Sequence, residues 1–119
     1  MQVPAVLVLG RRESNETADV VFDAGYTPVL RESIMSAIAA LRRGRFRAIV
    51  VDCEHTAVDV LEFVLNVRDV DADVPIHVLN GGELGASIVE ALEARQADIV
   101  DAPGLGRKLE QVEVSAVGG

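Results

Sequence analysis

The segment Phe46 to Glu54 reads F-R-A-I-V-V-D-C-E, and no other stretch restricts the fold as much. Ala48-Ile49-Val50-Val51 is continuously apolar and β-branched in three of four positions, the pattern of a short strand buried on both faces. Two-sided burial calls for helices above and below a parallel sheet. Asp52 follows the run at once, where the strand should end. In open parallel α/β sheets, ligands and chemistry collect outside the carboxyl ends of the strands. A carboxylate there is either a functional group or a cap for the following loop.

The neighbouring segments repeat the pattern. Ala5-Val6-Leu7-Val8-Leu9 is a second fully apolar strand, stopped by Gly10 and followed by the polar Arg11-Arg12-Glu13. Ser14 or Asn15 caps a helix with Ala18, Val21 and Phe22 at helical spacing, and Gly25 ends it. Tyr26 to Leu30 is a short strand holding Pro28, which has no N–H for the ladder and so belongs near an edge. Ser33 caps the next helix, whose buried stripe is Ile34, Ile38 and Leu41, and Gly44 closes it. Cys53 to Val58 is a loop, and a helix from about Asp59 to Arg68 presents Val60, Leu61, Val64 and Leu65. An acidic turn, Asp69 to Asp73, leads to a fourth strand, Val74 to Leu79, ending at Asn80-Gly81-Gly82. Then come a helix from Ala86 to Arg95 and a weaker strand, Ala97 to Val100, closed by Asp101-Ala102-Pro103-Gly104. A last helix runs from about Leu105 to Val114.

Five strands alternating with five helices through short connections pair in parallel by right-handed crossovers. The expected fold is α/β, a flavodoxin-like (βα)5 three-layer sandwich with a parallel five-stranded sheet in the order 2-1-3-4-5. A single domain is expected over 1–114, with 115–119 a tail or the start of a linker.

Charge and composition narrow the function. The 19 acidic and 11 basic residues leave a net charge of −8, which argues against nucleic-acid binding by this domain, since phosphates need a basic face. Ten of the basic residues are Arg, and Lys108 is the only Lys. The single Cys53 excludes an internal disulfide and reads as a packing residue. No apolar run approaches the ~20 residues of a membrane span and no signal-peptide pattern opens the chain, so a cytoplasmic protein is expected.

Other motifs carry little. Gly81-Gly82 and Gly104-Leu105-Gly106 do not follow the first strand and match no phosphate loop. Asp69, Asp71 and Asp73 lack the remaining ligands of a calcium loop and read as a solvated turn. His55 reads as an exposed loop residue, and His77 as a satisfied strand histidine. No Ser-His-Asp or Cys-His spacing suggests a nucleophile, and enzymatic activity is not expected.

From Asp52 outward the sequence resembles the receiver domain of bacterial two-component response regulators, over nearly the whole chain. Asp59 and Glu62 follow Asp52 by seven and ten positions, as in that family's D-x6-D-[G]-x-E run, with Val60 at the usual glycine. Gly25-Tyr26 is similar to its glycine-aromatic step into strand two, and Val74-Pro75-Ile76 to its V/I-P-I/V lead-in to strand four. Glu90-Ala91-Leu92-Glu93-Ala94 with Ala97-Asp98 resembles its A-L-E-A-G-A-D-D segment, and Ala102-Pro103 stands where K-P is expected.

The resemblance implies that Asp52 is the phospho-acceptor, joined by two acids after strand one that hold Mg²⁺. Those positions are Gly10 and Arg11 here, with Arg12 next. Unit charges about 4 Å apart interact by roughly 4 kcal/mol at an effective dielectric near 20, so a guanidinium there opposes Mg²⁺ as well as removing a ligand. Asn80 replaces the switch hydroxyl at the end of strand four, and Ala102 replaces the lysine that pairs with the phosphoryl group. The site-lining set is Gly10, Arg11, Arg12, Glu13, Glu54, Asn80 and Ala102 around Asp52. Asp52, Glu13 and Glu54 are the weak metal candidates, and no cofactor is expected.

The resemblance therefore implies a degenerate receiver, or pseudo-receiver, acting in phosphorelay signalling through protein contacts. The implied partners are a sensor kinase, an effector domain or a second copy, with a homodimer through helix four, strand five and helix five as one form. Membrane binding is not expected. Two other readings stay open: a phosphorylatable receiver with unusual metal ligands, and a receiver-like wing domain that assembles a larger enzyme such as a pyridoxal-phosphate amino-acid decarboxylase.

Overall fold

The structure, a computed structural model, describes residues 4–11, 15–53, 59–79 and 84–118, with Asn15 and residues 111–118 described by backbone alone. Strands β1 Ala5–Leu9, β2 Thr27–Arg31, β3 Ala48–Asp52, β4 Ile76–Leu79 and β5 Ala97–Val100 form one parallel sheet. Its order is β2-β1-β3-β4-β5. Helices α1 Asn15–Asp23, α2 Ile34–Arg43, α3 Val60–Val70, α4 Ala86–Ala94 and α5 Ala102–Gly118 alternate with the strands. The expected α/β sandwich and strand order are both present.

Successive strand residues point to opposite faces, and the sheet sorts its side chains into two cores accordingly. On one face Leu7, Leu9, Ile49, Val51, Ile76 and Val78 meet α2, α3 and α4. On the other, Val6, Val8, Ala48, Val50 and Leu79 meet α1 and α5 through Val21, Ala24, Leu105 and Leu109. Full burial of a Val, Leu or Ile side chain contributes about 1.5–3 kcal/mol, so these two layers supply most of the favourable free energy. Tyr26, also buried on the second face, donates its hydroxyl to the Leu109 carbonyl at 2.9 Å and ties the start of β2 to α5. Pro28 sits on β2 beside Val6, at the sheet edge where a missing donor costs least.

Helix ends follow local chemistry. The Ser33 hydroxyl accepts from the Ser36 N–H at 3.1 Å and caps α2. Asp59 caps α3, accepting from the Glu62 N–H at 3.1 Å, so the acidic pair that continues the run from Asp52 is here a helix start. Gly25, at φ 98°, closes α1 in the left-handed region that glycine reaches without strain.

Several boundaries and faces depart from expectation. Phe22 is exposed, because the inward stripe of α1 is Thr17, Val21 and Ala24. Leu65 is also exposed, and the buried stripe of α3 is Val60, Phe63, Val64 and Val67, at i, i+3, i+4 and i+7. Helix α3 continues to Val70, and Asp71 then folds the turn by accepting from the Asp73 and Val74 N–H groups at 2.9 and 3.1 Å. Val74 is thereby committed to the turn, and β4 begins only at Ile76.

Helix α5 starts at Ala102 rather than about Leu105. The Asp101 carboxylate accepts from the Gly104 N–H at 2.6 Å, and Pro103 is tolerated in the first turn because its nitrogen needs no partner there. Nothing in Ser115-Ala116-Val117 breaks a helix, and α5 runs through Gly118, across residues 115–118 expected as tail.

Arg68 staples the far end of the α3–α4 layer. Its guanidinium donates to the carbonyls of Val74 at 2.8 Å and Arg95 at 2.9 Å, and more loosely to those of Asp71 and Gln96 at 3.4 Å. These acceptors lie in two separate turns, one of which holds Gln96 at φ 61°. Arg68→Ala should lower unfolding free energy by about 2–3 kcal/mol in urea titrations, with Arg68→Lys recovering less than half, because an ammonium cannot reproduce the fork.

His77 departs from the satisfied strand histidine expected of it. It lies on β4, 3% exposed, and neither ring nitrogen has a hydrogen-bond partner among the described residues. Its Nδ1 is 3.8 Å from Asp98 Oδ2, beyond hydrogen-bond range, and Lys108 Nζ is 3.8 Å from the same oxygen. Burial pushes the imidazole pKa below its usual 6.5; the Asp98 charge opposes that shift and Lys108 adds to it. The unfolded chain therefore binds the extra proton, so the stability tied to a neutral His77 is complete above about pH 6.5 and declines as pH falls below it. Urea midpoints measured from pH 7.5 to 5.5 should fall in the wild type and fall less steeply in His77→Leu.

Candidate functional site

The carboxyl edge of the sheet gathers the residues of interest because every strand of a parallel sheet ends there. β1 stops at Leu9, and Gly10, buried, turns the chain while its N–H donates to the Arg31 carbonyl at 2.9 Å. Arg11 follows and is exposed. Asp52 is the last residue of β3 and is 1% exposed, registered beside Leu79 of β4. Even-numbered β3 residues face α1 and α5, so the Asp52 carboxylate points beneath the first turn of α1.

There it meets a hydroxyl. Thr17 Oγ1 donates to Asp52 Oδ2 at 2.8 Å, and Thr17 is itself only 4% exposed. A hydrogen bond to a carboxylate is worth about 1.5–3 kcal/mol net, more than a neutral pair. Sequence reasoning assigned α1's inward face to Ala18, Val21 and Phe22 and so missed Thr17. The signal was a helical stripe at Thr17, Val21 and Ala24, with a β-branched hydroxyl one turn inside the helix.

The remaining expected site residues are distributed unevenly. Ala102 is exposed and forms the first residue of α5. Cys53, after Asp52, is half-buried; burial first and the Asp52 charge second push its thiol up to about 11, which keeps it protonated at neutral pH. Arg12, Glu13, Glu54, His55 and Asn80 lie outside the described residues.

The described donors do not fit a magnesium ion. Mg²⁺ takes near-octahedral oxygen ligands, anchored by one or two carboxylates. At the end of β1 the chain offers a glycine and an arginine, and no group of three or more His, Cys, Asp or Glu among the described residues could hold a metal. What the arrangement can do is hold a buried carboxylate in place, in part through the Thr17 hydroxyl. Thr17→Val should destabilise the chain by about 1–3 kcal/mol by removing this buried hydrogen bond, whereas Thr17→Ser, which keeps the hydroxyl, should cost clearly less in the same denaturation series.

No protein-family profile and no curated protein matches the sequence. Solved structures do. The chemotaxis protein CheY4 of Vibrio cholerae, crystallised at low pH, superposes with a TM-score of 0.75 at 22% identity, covering 93% of this chain and 99% of that one. A CheY-like receiver domain protein from Methanospirillum hungatei JF-1 gives 0.79 at 13% identity, over 99% and 100% of the two chains. The receiver domain of sensor histidine kinase PA1611 from Pseudomonas aeruginosa PAO1, which has a magnesium ion coordinated in its active-site cleft, gives 0.72 at 22% identity over 92% and 97%. Coverage is near-complete in both directions, so the match spans the five-stranded sheet and its helices. The chain has the fold of the CheY-like response-regulator receiver domains.

Proposed function

We propose that this chain is a signalling module of the receiver class that works by protein–protein contact, with Asp52 serving as an internally bonded carboxylate rather than a magnesium-dependent phospho-acceptor. The observation that carries the reading is the placement of Asp52. On this reading Asp52, at the end of β3, stands where receivers accept phosphate; it is 1% exposed and bonded to Thr17, which supports an internal role. The surrounding substitutions support this. Gly10 and Arg11 supply no carboxylate, and Ala102 supplies no ammonium to pair with a transferred phosphoryl group.

A module without phosphotransfer chemistry signals through its surface. The face formed by α4, β5 and α5 carries a groove of about 380 Å³, with Leu84, Val89, Ile99 and Val100 as its apolar floor and Glu93, Asp98 and Lys108 around it. An apolar centre with a charged rim is the usual anatomy of a protein interface. The partner on this reading is a sensor kinase, an effector domain or a second copy of the chain.

Amide shifts at Asp52 and Asn80, followed while Mg²⁺ and then a beryllofluoride mimic of the phosphoryl group are added, test the proposal. The expected result is no saturable, Mg²⁺-dependent change at either residue. Saturable shifts at both would restore ordinary receiver chemistry and overturn the reading.

A further inference from the structure

Of the large apolar side chains that the fold leaves exposed, Phe22 and Met35 are the most exposed, and they lie on helices of opposite charge. Helix α1 turns Glu16, Asp19, Phe22 and Asp23 outward, at positions i, i+3, i+6 and i+7, and Phe22 is 69% exposed. The chain has only four aromatic residues. Tyr26 and Phe63 are buried and Phe46 is half-buried, so Phe22 is the one set out in solvent. Packing of α1 does not require it, since Thr17, Val21 and Ala24 complete the inward face.

On the opposite side of the sheet, α2 and α3 leave a groove of about 470 Å³. Ile34, Met35, Ile38 and Ala39 form its apolar wall, and Met35 is 84% exposed. Arg42 and Arg43 also line it, with Asp69 contributed by α3. The two arginines continue into Arg45 and Arg47, so four of the eleven basic residues of an acidic chain fall within six positions. All four are exposed, and none makes an ion pair or side-chain hydrogen bond among the described residues.

We infer that a second copy of this chain fills that groove, laying its α1 between α2 and α3 of its neighbour. Phe22 would seat on the Ile34–Ile38 wall with Met35 folding over it, while Asp19 and Asp23 meet the guanidinium groups of Arg42 and Arg43. The chemistry is complementary on both counts. An aromatic anchor enters an apolar groove, and carboxylates one helical turn apart face forked donors able to bind them bidentately. An aromatic ring beside guanidinium groups adds cation–π attraction. Among the described residues most exposed charge is acidic, so a basic, apolar groove is the complement of α1, which is acidic around an exposed ring.

The knob and the groove occupy opposite faces of one sheet, so they cannot satisfy each other within a chain. A contact between two different surfaces is heterologous, and each copy added leaves one knob and one groove open. Head-to-tail growth follows rather than a closed two-fold dimer. A nine-residue helix covers a small area, and interfaces below about 1,200 Å² are typically transient. This association is separate from the α4–β5–α5 face and stands whether or not Asp52 is phosphorylated.

Sedimentation equilibrium of the chain from about 10 μM to 1 mM, a range set by the weakness of small interfaces, reads the association directly. The average mass should rise with concentration past that of a dimer and fall back as salt is added. Phe22→Glu and the double variant Arg42→Glu/Arg43→Glu should each weaken association about tenfold or more while keeping the wild-type circular dichroism spectrum. An equimolar mixture of the two variants retains one intact knob and one intact groove, so it should form a one-to-one dimer and stop there. Wild type that stays monomeric across the range, variants that associate like wild type, or a mixture that stays monomeric would each overturn the inference. So would a monomeric wild type whose groove instead takes up an acidic aromatic peptide.

Discussion

A parallel strand covered on both sides has no wet face on which to place a polar side chain, and the molecule is organised by that constraint. Along β3 every residue is buried, and so is every residue of β4. The cost of a polar group in such a position is set by whether it finds a partner. Among the described residues only Thr17, Asp52 and His77 are buried and polar, and all three lie on the side of the sheet that faces α1 and α5. Thr17 and Asp52 meet each other at 2.8 Å. His77 instead relies on staying neutral. The interior thus holds one carboxylate where a hydroxyl reaches it and one imidazole whose protonation burial disfavours.

The carboxyl edge of the sheet is built from strand ends and from the loops that follow them. The topology carries β3 to the middle of the sheet and ends it at Asp52, regardless of what the neighbouring loops contain. After β1 the described residues are Gly10 and Arg11, neither of them a carboxylate. Among the described residues, surfaces with an apolar centre and charged surroundings lie at α4, β5 and α5 and between α2 and α3.

The architecture was legible because its signals are local and redundant. Continuous β-branched runs, Ser33 and Asp59 as caps and Gly25 as a stop each mark an element that the structure contains. Helix faces were less legible where apolar residues surround more than one stripe. In α1, Phe22 outranks Thr17 in hydrophobicity, yet the neighbouring β3 strand offers a carboxylate to the hydroxyl and no cavity for a ring. In α3, the pair Leu61 and Leu65 competed with Phe63 and Val67, and the tighter i, i+3, i+4, i+7 stripe won. The start of α5 was hidden because Pro103 and Gly104 usually mark loops; here Asp101 turns both into a first helical turn. Of the site, Asp52 was found from its strand, whereas Thr17 needed the packing of two elements 35 residues apart. The staple made by Arg68 left no sequence signal, since its acceptors are backbone carbonyls of two turns.

The central claim is that Asp52 keeps the place of a phospho-acceptor without its chemistry. Incubating the chain with acetyl phosphate and Mg²⁺ and recording its intact mass tests this most directly, with an Asp52→Asn variant alongside. The account predicts that the mass stays unchanged in both proteins. An acid-labile gain of one phosphoryl group, present in the wild type and absent from Asp52→Asn, would contradict it.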